Sequence, residues 1–324
     1  MPPFPKPSFD YAYHVGAQIS ALCAYRDTKP GRAIPAKNPN RLLVASWNIA
    51  NLGVQERREG DYRVLAEMIS WFDLVAVQEV NDDLSGLRGI MAQLAPMPGG
   101  GAWRALFSDE AGNNERLAYL YDASKVSLRE KVGEIAIPPA EHRHIRVDAD
   151  SPEFRGFDRN PYLAAFVCGN FDFVIVNVHV FFGSDAAPGD IARRRNETYA
   201  VGRWADLRRQ SDYAYSPEVI VVGDFNMPQA EWGDPIYAAL VARGLYIPPH
   251  STGVGGTNLK GDKHYDQIAF FPGPTADRNT QVGVFDFDGA LFAYLWETRP
   301  DDFATYMRYY ISDHRLLWAE FDVG

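Results

Sequence analysis

RLLVASWNI (residues 41–49) and FDLVAVQEV (residues 72–80) are the two stretches that decide the fold. Each is a short run of apolar residues, rich in Val and Leu, that ends in polar side chains, and such runs are typical of buried strands. Residues 61–72, which lie between them, place apolar side chains at helical spacing. This part of the chain is therefore predicted to form a strand, a helix and a second strand.

The same type of apolar run recurs along the rest of the chain. Gly169 and Asn170 are predicted to make a two-residue hairpin turn, and residues 191–210 are predicted to form an Arg-rich helix with an exposed face. Short strands with interspersed helices indicate a layered α/β sandwich. Further strands are predicted at residues 116–122, 162–168, 171–181, 218–226, 265–271 and 316–321.

The N-terminal part of the chain differs in composition from the rest. Residues 1–40 contain six prolines, which bracket a stretch at residues 11–25 that can form one helix. We expect residues 1–40 to be an N-terminal extension that is packed on the main domain or loosely attached to it. Residues 41–324 are expected to form one domain, because the sequence shows no interdomain linker and no repeat.

The charge balance restricts how the protein can bind a polyanion. The chain has 32 Lys and Arg residues against 42 Asp and Glu residues, which gives a net charge of −10. A protein that clamps DNA without sequence preference is usually basic, because neutralisation of phosphates supplies its affinity. Any contact with nucleic acid must therefore be local or bridged by a cation.

Composition also bears on the compartment. No apolar run approaches the ~18 residues that a membrane-spanning helix requires, and residues 1–10, MPPFPKPSFD, lack the features of a secretory signal. Two cysteines cannot build a disulfide scaffold and are typical of a reducing compartment. We expect no membrane span and a cytoplasmic location.

Seven short motifs place polar residues at or beside the predicted strand ends. Taken singly, each has an ordinary structural explanation: His179 can be a core histidine and Asp224 a turn residue. Together the motifs supply carboxylates, amides and two imidazoles, which are the groups that metal-assisted phosphoester hydrolysis needs. The motifs are S-W-N-I-A-N (46–51), Q-E-V (78–80), N-E-R (114–116), N-V-H (177–179), G-D-F-N (223–226), Y-D-Q-I (265–268) and S-D-H (312–314).

In this order along the chain, the motifs resemble those of the endonuclease/exonuclease/phosphatase superfamily, and within it those of deoxyribonuclease I-like nucleases. The resemblance runs from about Arg41 to the C-terminus. It implies that residues 41–324 are a catalytic domain with a four-layer α/β sandwich fold, in which two mostly antiparallel sheets are flanked by helices. It also implies a Mg²⁺-dependent phosphodiesterase, expected to be a DNA endonuclease that uses direct attack by water and leaves 5′-phosphate and 3′-hydroxyl ends.

The resemblance also implies a role for each matching residue. Glu79 resembles the principal metal ligand, with Asn48 and Asp313 beside it. His179 resembles a catalytic histidine paired with Glu115, and His314 resembles a second one paired with Asp266. A carboxylate bonded to one ring nitrogen fixes the tautomer of the imidazole and favours its protonated form.

Three further residues are assigned to water and phosphate. Asp224 resembles an aspartate that orients water, and Asn226 resembles a catalytic asparagine that binds the substrate phosphate. Arg159, and also Asn48, are expected to contact that phosphate, for which the planar guanidinium is well suited. The sequence leaves open which histidine is the acid and which the base, and Asp224 can also be the base.

The chain departs from deoxyribonuclease I in the loop before N-E-R. Residues 109–114, DEAGNN, are shorter than the relative's loop and lack the Arg and Tyr that enter the DNA minor groove there. Asn81 and Ala50 stand where the relative has arginines. These losses count against efficient cutting of duplex DNA and leave the hydrolytic centre intact.

Several alternatives remain open from the sequence. The same centre can hydrolyse a lipid, inositol or other small phosphoester, or the protein can be a catalytically dead binding module. Mn²⁺ or Ca²⁺ can replace Mg²⁺, and a monomer is favoured. The arginines of the predicted helix are expected to form a solvated face, with a local basic patch for a polyanion as the alternative; they are Arg193, Arg194, Arg195, Arg203, Arg208 and Arg209.

Overall fold

Two β-sheets packed face to face form the centre of the protein in a computed structural model, which describes residues 4–149 and 151–324. The strands are β1 (Arg41–Leu52), β2 (Leu74–Asn81), β3 (Trp103–Phe107), β4 (Glu115–Asp122), β5 (Ser127–Glu134), β6 (Tyr162–Cys168), β7 (Phe171–His179), β8 (Val219–Asp224), β9 (Asp266–Phe270), β10 (Asn279–Phe285) and β11 (Leu316–Asp322). The α-helices are α1 (Val15–Thr28), α2 (Glu59–Ser70), α3 (Ser85–Leu94), α4 (Pro188–Arg209), α5 (Pro235–Val241), α6 (Pro274–Arg278), α7 (Ala293–Thr298) and α8 (Pro300–Tyr310).

One parallel pair of strands in each sheet sets the topology. The first sheet has the order β10-β11-β1-β2-β4-β3, and the second has the order β5-β6-β7-β8-β9. Strands β1 and β2 are parallel, as are β7 and β8, and the other neighbours are antiparallel. Two parallel neighbouring strands end at the same edge of the sheet. A strand that is antiparallel to them begins at that edge. Four strands of the two sheets therefore deliver their last residues to one end of the sandwich.

The side chains of β1 show how the core changes toward that end. Leu42 and Val44 lie in the core between the sheets, whereas Trp47 lies in the core under the helices, because successive side chains of a strand point to opposite faces. Ser46 and Asn48 continue the inward-facing series and are also fully buried. The core between the sheets is therefore apolar at one end and polar at the other.

Helices cover the outer face of each sheet. Helices α1, α2, α3 and α8 share a core with the first sheet, and α4 and α5 share one with the second. Burial of an aliphatic or aromatic side chain contributes about 1.5–3 kcal/mol, so these cores hold the helices on the sheets. The four layers confirm the predicted fold class.

The observed elements agree with the predicted ones where the strands are central. All eight predicted strands are present, with ends that differ by at most three residues. The predicted helix at 61–72 is α2, that at 191–210 is α4, and α1 begins a few residues after the start of the stretch 11–25. Strands β3, β5 and β10 were not predicted.

The described part of the N-terminal extension packs on the helices of the first sheet. Leu22 of α1 is fully buried in the same core as α2. The hydroxyl of Tyr13 donates to Asp61 Oδ1 at 2.6 Å, and the guanidinium of Arg58 lies 5.0 Å from the centre of the Tyr13 ring. These contacts favour the packed arrangement over the loose one, while the division at residues 40 and 41 stays a prediction.

The arginines of α4 do not form a free basic patch. Arg194 is fully buried and donates to Asp185 at 2.8 Å. The expectation of a solvated helix face is therefore wrong for Arg194. Most of the six arginines considered above form ion pairs with carboxylates, so the alternative of a basic patch loses its support. The other pairs are Arg193 with Asp158 and Glu197, Arg195 with Asp148, Arg203 with Glu141 and Arg209 with Asp206.

Candidate active site

Polar residues from both sheets converge at the polar end of the sandwich. Asn48 and Glu79 lie near the carboxyl ends of β1 and β2, and His179 and Asp224 are the last residues of β7 and β8. Antiparallel neighbours begin at this end. The site residues at their beginnings are Glu115 in β4, Asp266 in β9, and Asp313 and His314 just before β11.

The backbone is distorted where β2 reaches the site. The register of β2 shifts against both of its neighbours around Gln78 and Glu79, and such bulges re-aim side chains. Glu79 has a φ of 60° and Asn226 has a φ of 49°, a left-handed conformation that is uncommon for residues other than glycine. Strain of this kind concentrates at functional sites.

Asn48 and Glu79 form the first part of the site. The amide nitrogen of Asn48 donates to Glu79 Oε1 at 3.0 Å and to Asp224 Oδ2 at 2.9 Å. The second oxygen of Glu79 accepts from the backbone N–H of Asn51 at 2.8 Å. Within the described residues, the buried Oδ1 of Asn48 has no hydrogen-bond donor. An oxygen in this state fits a bound cation, which would supply the missing partner.

His179 and Glu115 form one carboxylate–histidine pair. His179 Nδ1 lies 3.1 Å from Glu115 Oε2, and His179 Nε2 lies 3.7 Å from Asp224 Oδ2. Burial opposes ionisation of Glu115, but the contact with His179 and the charge of Arg159 outweigh it and lower the pKa of the Glu115 carboxyl to about 2. The pair therefore contains an ionised carboxylate behind the imidazole.

His314 and Asp266 form the second pair. Their Nδ1 and Oδ2 atoms lie 2.9 Å apart, and His314 Nε2 lies 3.8 Å from Asp224 Oδ2. Burial disfavours the charged imidazole, but the charges of Asp266 and Asp224 outweigh it and raise the pKa of His314 well above its usual value. The carboxylates around His314 therefore favour its protonated form.

Each pair joins the two sheets. Glu115 belongs to the first sheet and its partner His179 to the second, whereas His314 precedes a strand of the first sheet and its partner Asp266 lies in the second. Asp224 Oδ2 lies between the two imidazoles, within 4 Å of a nitrogen of each. The structure thus brings together both pairs that were predicted, around one shared carboxylate.

The metal ligands can be chosen in two ways from the described residues. Asp224, Asp266 and His314 each offer a ligand atom, and these atoms all lie within 4.8 Å of one another. Of the predicted set of Glu79, Asn48 and Asp313, the first two are in contact. Oxygen ligands dominate both groups, and this is the preference of a hard divalent cation.

Asp313 is the third residue of the predicted metal set. Burial raises the pKa of the Asp313 carboxyl, and the charge of Glu79 adds to this rise. The charge of His314 acts in the opposite direction and lowers this pKa. A divalent cation held by Glu79 and Asp313 would favour the ionised form of both carboxylates.

Arg159 and Asn226, two of the three residues predicted to bind phosphate, are engaged within the protein. Arg159, only 5% exposed, donates from Nε to His179 O at 3.0 Å and from Nη2 to Val180 O at 3.2 Å. Asn226 donates its side-chain amide to the same Val180 carbonyl at 2.8 Å. Their phosphate contacts stay predictions. A cavity of about 240 Å³ that includes Arg159 is lined by Asn113, Glu115, Asp158, Arg159, His179, Phe181, Phe182 and Gly183.

Sequence reasoning missed a layer of polar residues beneath the site. Gln78 donates to Asn177 Oδ1 at 2.6 Å and to Ser46 Oγ at 3.2 Å, so the two sheets are bonded directly under the carboxylates. These three residues stand inside the quoted motifs, but each lies one or two positions before the residue to which a role was assigned. Side chains alternate between the two faces of a strand, so this alternation could have predicted that these residues face the other sheet.

Comparison with known proteins supports the architecture. No protein-family model matches the chain. A protein of Thioalkalivibrio sp. (strain K90mix) named deoxyribonuclease is 31% identical over 192 residues, which make up 58% of this chain and 46% of that protein. The chain thus spans about half the length of this relative.

Two solved structures share most of the fold. An endonuclease/exonuclease/phosphatase family protein from Bacteroides thetaiotaomicron is 18% identical, with a TM-score of 0.53 over 88% of this chain and 99% of that one. TDP2 of D. rerio complexed with single strand DNA product is 13% identical, with a TM-score of 0.55 over 87% of this chain and 99% of that one.

These likenesses and the two mixed, helix-covered sheets confirm the predicted resemblance. The chain has the deoxyribonuclease I-like fold of the endonuclease/exonuclease/phosphatase family. In the part of the chain that the structure describes, no helix has the length and apolar character needed to cross a membrane.

Proposed function

We propose that this protein is a divalent-metal-dependent phosphodiesterase that hydrolyses DNA. The observation that carries the proposal is the position of Asp224, whose Oδ2 lies 3.7 Å from His179 Nε2 and 3.8 Å from His314 Nε2. Each imidazole is backed by its own carboxylate, so the centre offers a proton acceptor between two oriented nitrogens. Two histidines that only stabilised the fold would not each need a carboxylate partner and a third carboxylate shared between them.

Glu79, Asn48 and Asp313 would hold the metal. Asn48 Oδ1, which accepts no hydrogen bond from the described residues, and the effect of the Glu79 charge on Asp313 support this choice. When bound, a divalent cation supplies positive charge that stabilises the phosphoryl oxygens as negative charge develops on them. We propose Mg²⁺ as the ion, with Mn²⁺ or Ca²⁺ as possible substitutes.

The residues of the chain then divide the proton transfers. Asp224, whose Oδ2 is fixed by the amide of Asn48, accepts a proton from the attacking water as the new bond from oxygen to phosphorus forms. His314, held protonated by Asp266, donates from Nε2 to the oxygen that leaves phosphorus. His179, oriented by Glu115, donates a hydrogen bond to a non-bridging phosphoryl oxygen.

DNA is the substrate that the comparisons favour. The relative that is 31% identical is named a deoxyribonuclease, and the solved TDP2 structure contains a single strand DNA product. The net charge of −10 and the pairing of the α4 arginines leave little general attraction for a polyanion. Recognition must therefore depend on the centre itself, and we propose single-stranded or nicked DNA over intact duplex. The cytoplasmic location and the monomeric state stay predictions.

The test is cleavage of supercoiled plasmid and of a single-stranded oligonucleotide, in Mg²⁺ or in EDTA. The variants are His179→Ala and, as a matched control, His144→Ala, since His144 is an exposed histidine at the end of a short 3₁₀ helix. Cleavage that requires Mg²⁺ and is lost in His179→Ala but retained in His144→Ala is the expected result. A folded, Mg²⁺-loaded protein that cuts neither substrate, but hydrolyses a lipid or sugar phosphoester, would overturn DNA as the substrate.

A further inference from the structure

Arg57 is a buried arginine that lies just before α2 and that none of the site motifs contains. It is only 8% exposed, and within the described residues it forms no ion pair with a carboxylate. Burial lowers the pKa of its guanidinium to about 10. A buried charge is costly unless hydrogen bonds satisfy it, so its partners show what the fold uses it for.

Within the described part of the chain, the hydrogen-bond partners of the Arg57 guanidinium are backbone carbonyls of two segments. Nη2 donates to Ala50 O at 2.6 Å and Nη1 to Asn51 O at 3.4 Å, both at the end of β1. Nη2 also donates to Ile311 O at 3.1 Å, and Nε donates to Tyr310 O at 3.1 Å. One side chain thus joins the end of β1 to the segment made of the last residue of α8 and the residue after it.

These two segments carry the two halves of the centre. The β1 segment contains Asn48, and the backbone N–H of Asn51 binds Glu79. The other segment leads within three residues from Ile311 to His314. Ser312 adds a second link, because its hydroxyl donates to Asn48 O at 2.7 Å and accepts from the His314 N–H at 3.0 Å.

We propose that Arg57 is a positioning residue that fixes the Asn48–Glu79 half of the centre relative to the Asp313–His314 half. A lysine cannot replace it, because an ammonium group has no planar fork that reaches carbonyls on two segments at once. This inference rests on the proposed function for its effect on activity, but the link between the segments can be tested without substrate or metal.

The test compares Arg57→Lys and Arg57→Gln with Arg63→Lys and Arg63→Gln. Arg63 is a suitable control because it lies in α2 and also binds a backbone carbonyl, that of Gln93, at 3.2 Å. Hydrogen exchange in the metal-free proteins is followed in residues 46–52 and 310–316. We expect exchange to be faster in both segments by about tenfold in the Arg57 variants and unchanged in the Arg63 variants.

The activity readout separates positioning from stability. In the Arg57 variants we expect kcat to fall at least about tenfold and the Mg²⁺ concentration for half-maximal rate to rise by a similar factor, because small displacements of catalytic groups are costly. KM for the oligonucleotide should change less than twofold. Calorimetric titration with Mg²⁺ alone should show the same loss of affinity.

Several outcomes would overturn the proposal. They are loosening of only one segment, or an Arg57 variant with a lower Tm but wild-type kcat and Mg²⁺ affinity. If the variants do not fold, hydrogen exchange in the wild-type protein tests the link instead. The exchange rates of the Asn51 and His314 amides should then depend on low denaturant concentration in the same way. Different dependences would mean that the two segments open independently, which contradicts the proposal. If wild-type protein cleaves no phosphoester, the proposed function fails while the exchange data still judge Arg57.

Discussion

Asp224 lies close to the histidines of both carboxylate–histidine pairs, so we expect its negative charge to matter more for activity than its size. We predict that Asp224→Asn lowers kcat at least about 100-fold, because loss of a positioned proton acceptor typically costs 10²- to 10⁴-fold. The amide keeps the volume, and the Tm should stay close to that of the wild type. Asp212→Asn, at an exposed position, is the control. Near-normal kcat for Asp224→Asn would remove Asp224 as the base.

Glu197 is a buried carboxyl outside the site motifs for which we expect a pH-dependent contribution to stability. It is 1% exposed, and its carboxylate accepts from the backbone N–H groups of Asp158 and Phe181 at 3.3 and 3.2 Å. Burial is the main cause that raises the pKa of this carboxyl to about 7. Between the ordinary value and about 7, the folded state holds more proton than the unfolded state, so this contribution to stability is full at low pH and is lost as pH rises through 7.

We therefore predict that Glu197→Gln flattens this pH dependence. Between pH 5 and 7.5 the wild type should lose about 1–3 kcal/mol more of its free energy of unfolding than the variant does. Urea unfolding at the two pH values measures this difference. Equal losses in the two proteins would show that Glu197 has an ordinary pKa in the folded state.

At the scale of elements, α1 tests whether the N-terminal extension belongs to the folded unit. Leu22 is the fully buried residue of this helix. If α1 stays docked, Leu22→Ala should lower the free energy of unfolding by about 2–5 kcal/mol, as core truncations do. Ser20→Ala, on the exposed side of the same helix, is the control. A cost below about 0.5 kcal/mol for Leu22→Ala would mean that α1 is detached in solution.

The elements that the sequence did not reveal are edge strands. β3 and β10 are the two edges of the first sheet, and β5 is an edge of the second. An edge strand has one neighbour and more exposed side chains, as in SLREKVGE of β5, so it lacks the continuous apolar run of a central strand. Central strands such as β1 and β8 are buried on both faces and were found at once.

The candidate site was predictable to a similar degree. Residues with reactive side chains, such as His179 and Asp224, stand at strand ends, where the sequence itself marks them. Arg57 was not predictable, because its carbonyl partners are backbone groups that any sequence supplies. The same reason hid the internal bonds of Arg159 and the burial of Arg194, since only the tertiary structure shows which donors are already used.

At the scale of the whole molecule, one end of the sandwich concentrates negative charge. Glu79, Asp224, Asp266 and Asp313 meet there, and each is buried or half-buried. A ligand that binds only the folded state stabilises it, by about 2.7 kcal/mol at a concentration 100 times its Kd. We predict that Mg²⁺ raises the Tm of the wild type, that EDTA reverses the rise, and that Glu79→Gln reduces it.

Thermal unfolding at several Mg²⁺ concentrations provides the measurement. Glu320→Gln is the matched control, since Glu320 is a buried carboxylate of β11 and lies outside the site. An equal Mg²⁺ response in the Glu79 and Glu320 variants would mean that the ion binds elsewhere.

Both carboxylate–histidine pairs take one residue from each sheet, and this affects when the site can form during folding. Neither sheet alone contains a complete pair, and β11, which follows every other strand described, must first align beside β1. A chain that has formed only one sheet therefore has no competent centre. Under the proposed function, the protein is therefore harmless to nucleic acid during synthesis or refolding until its two halves have closed on each other, and the onset of activity would mark the completed fold.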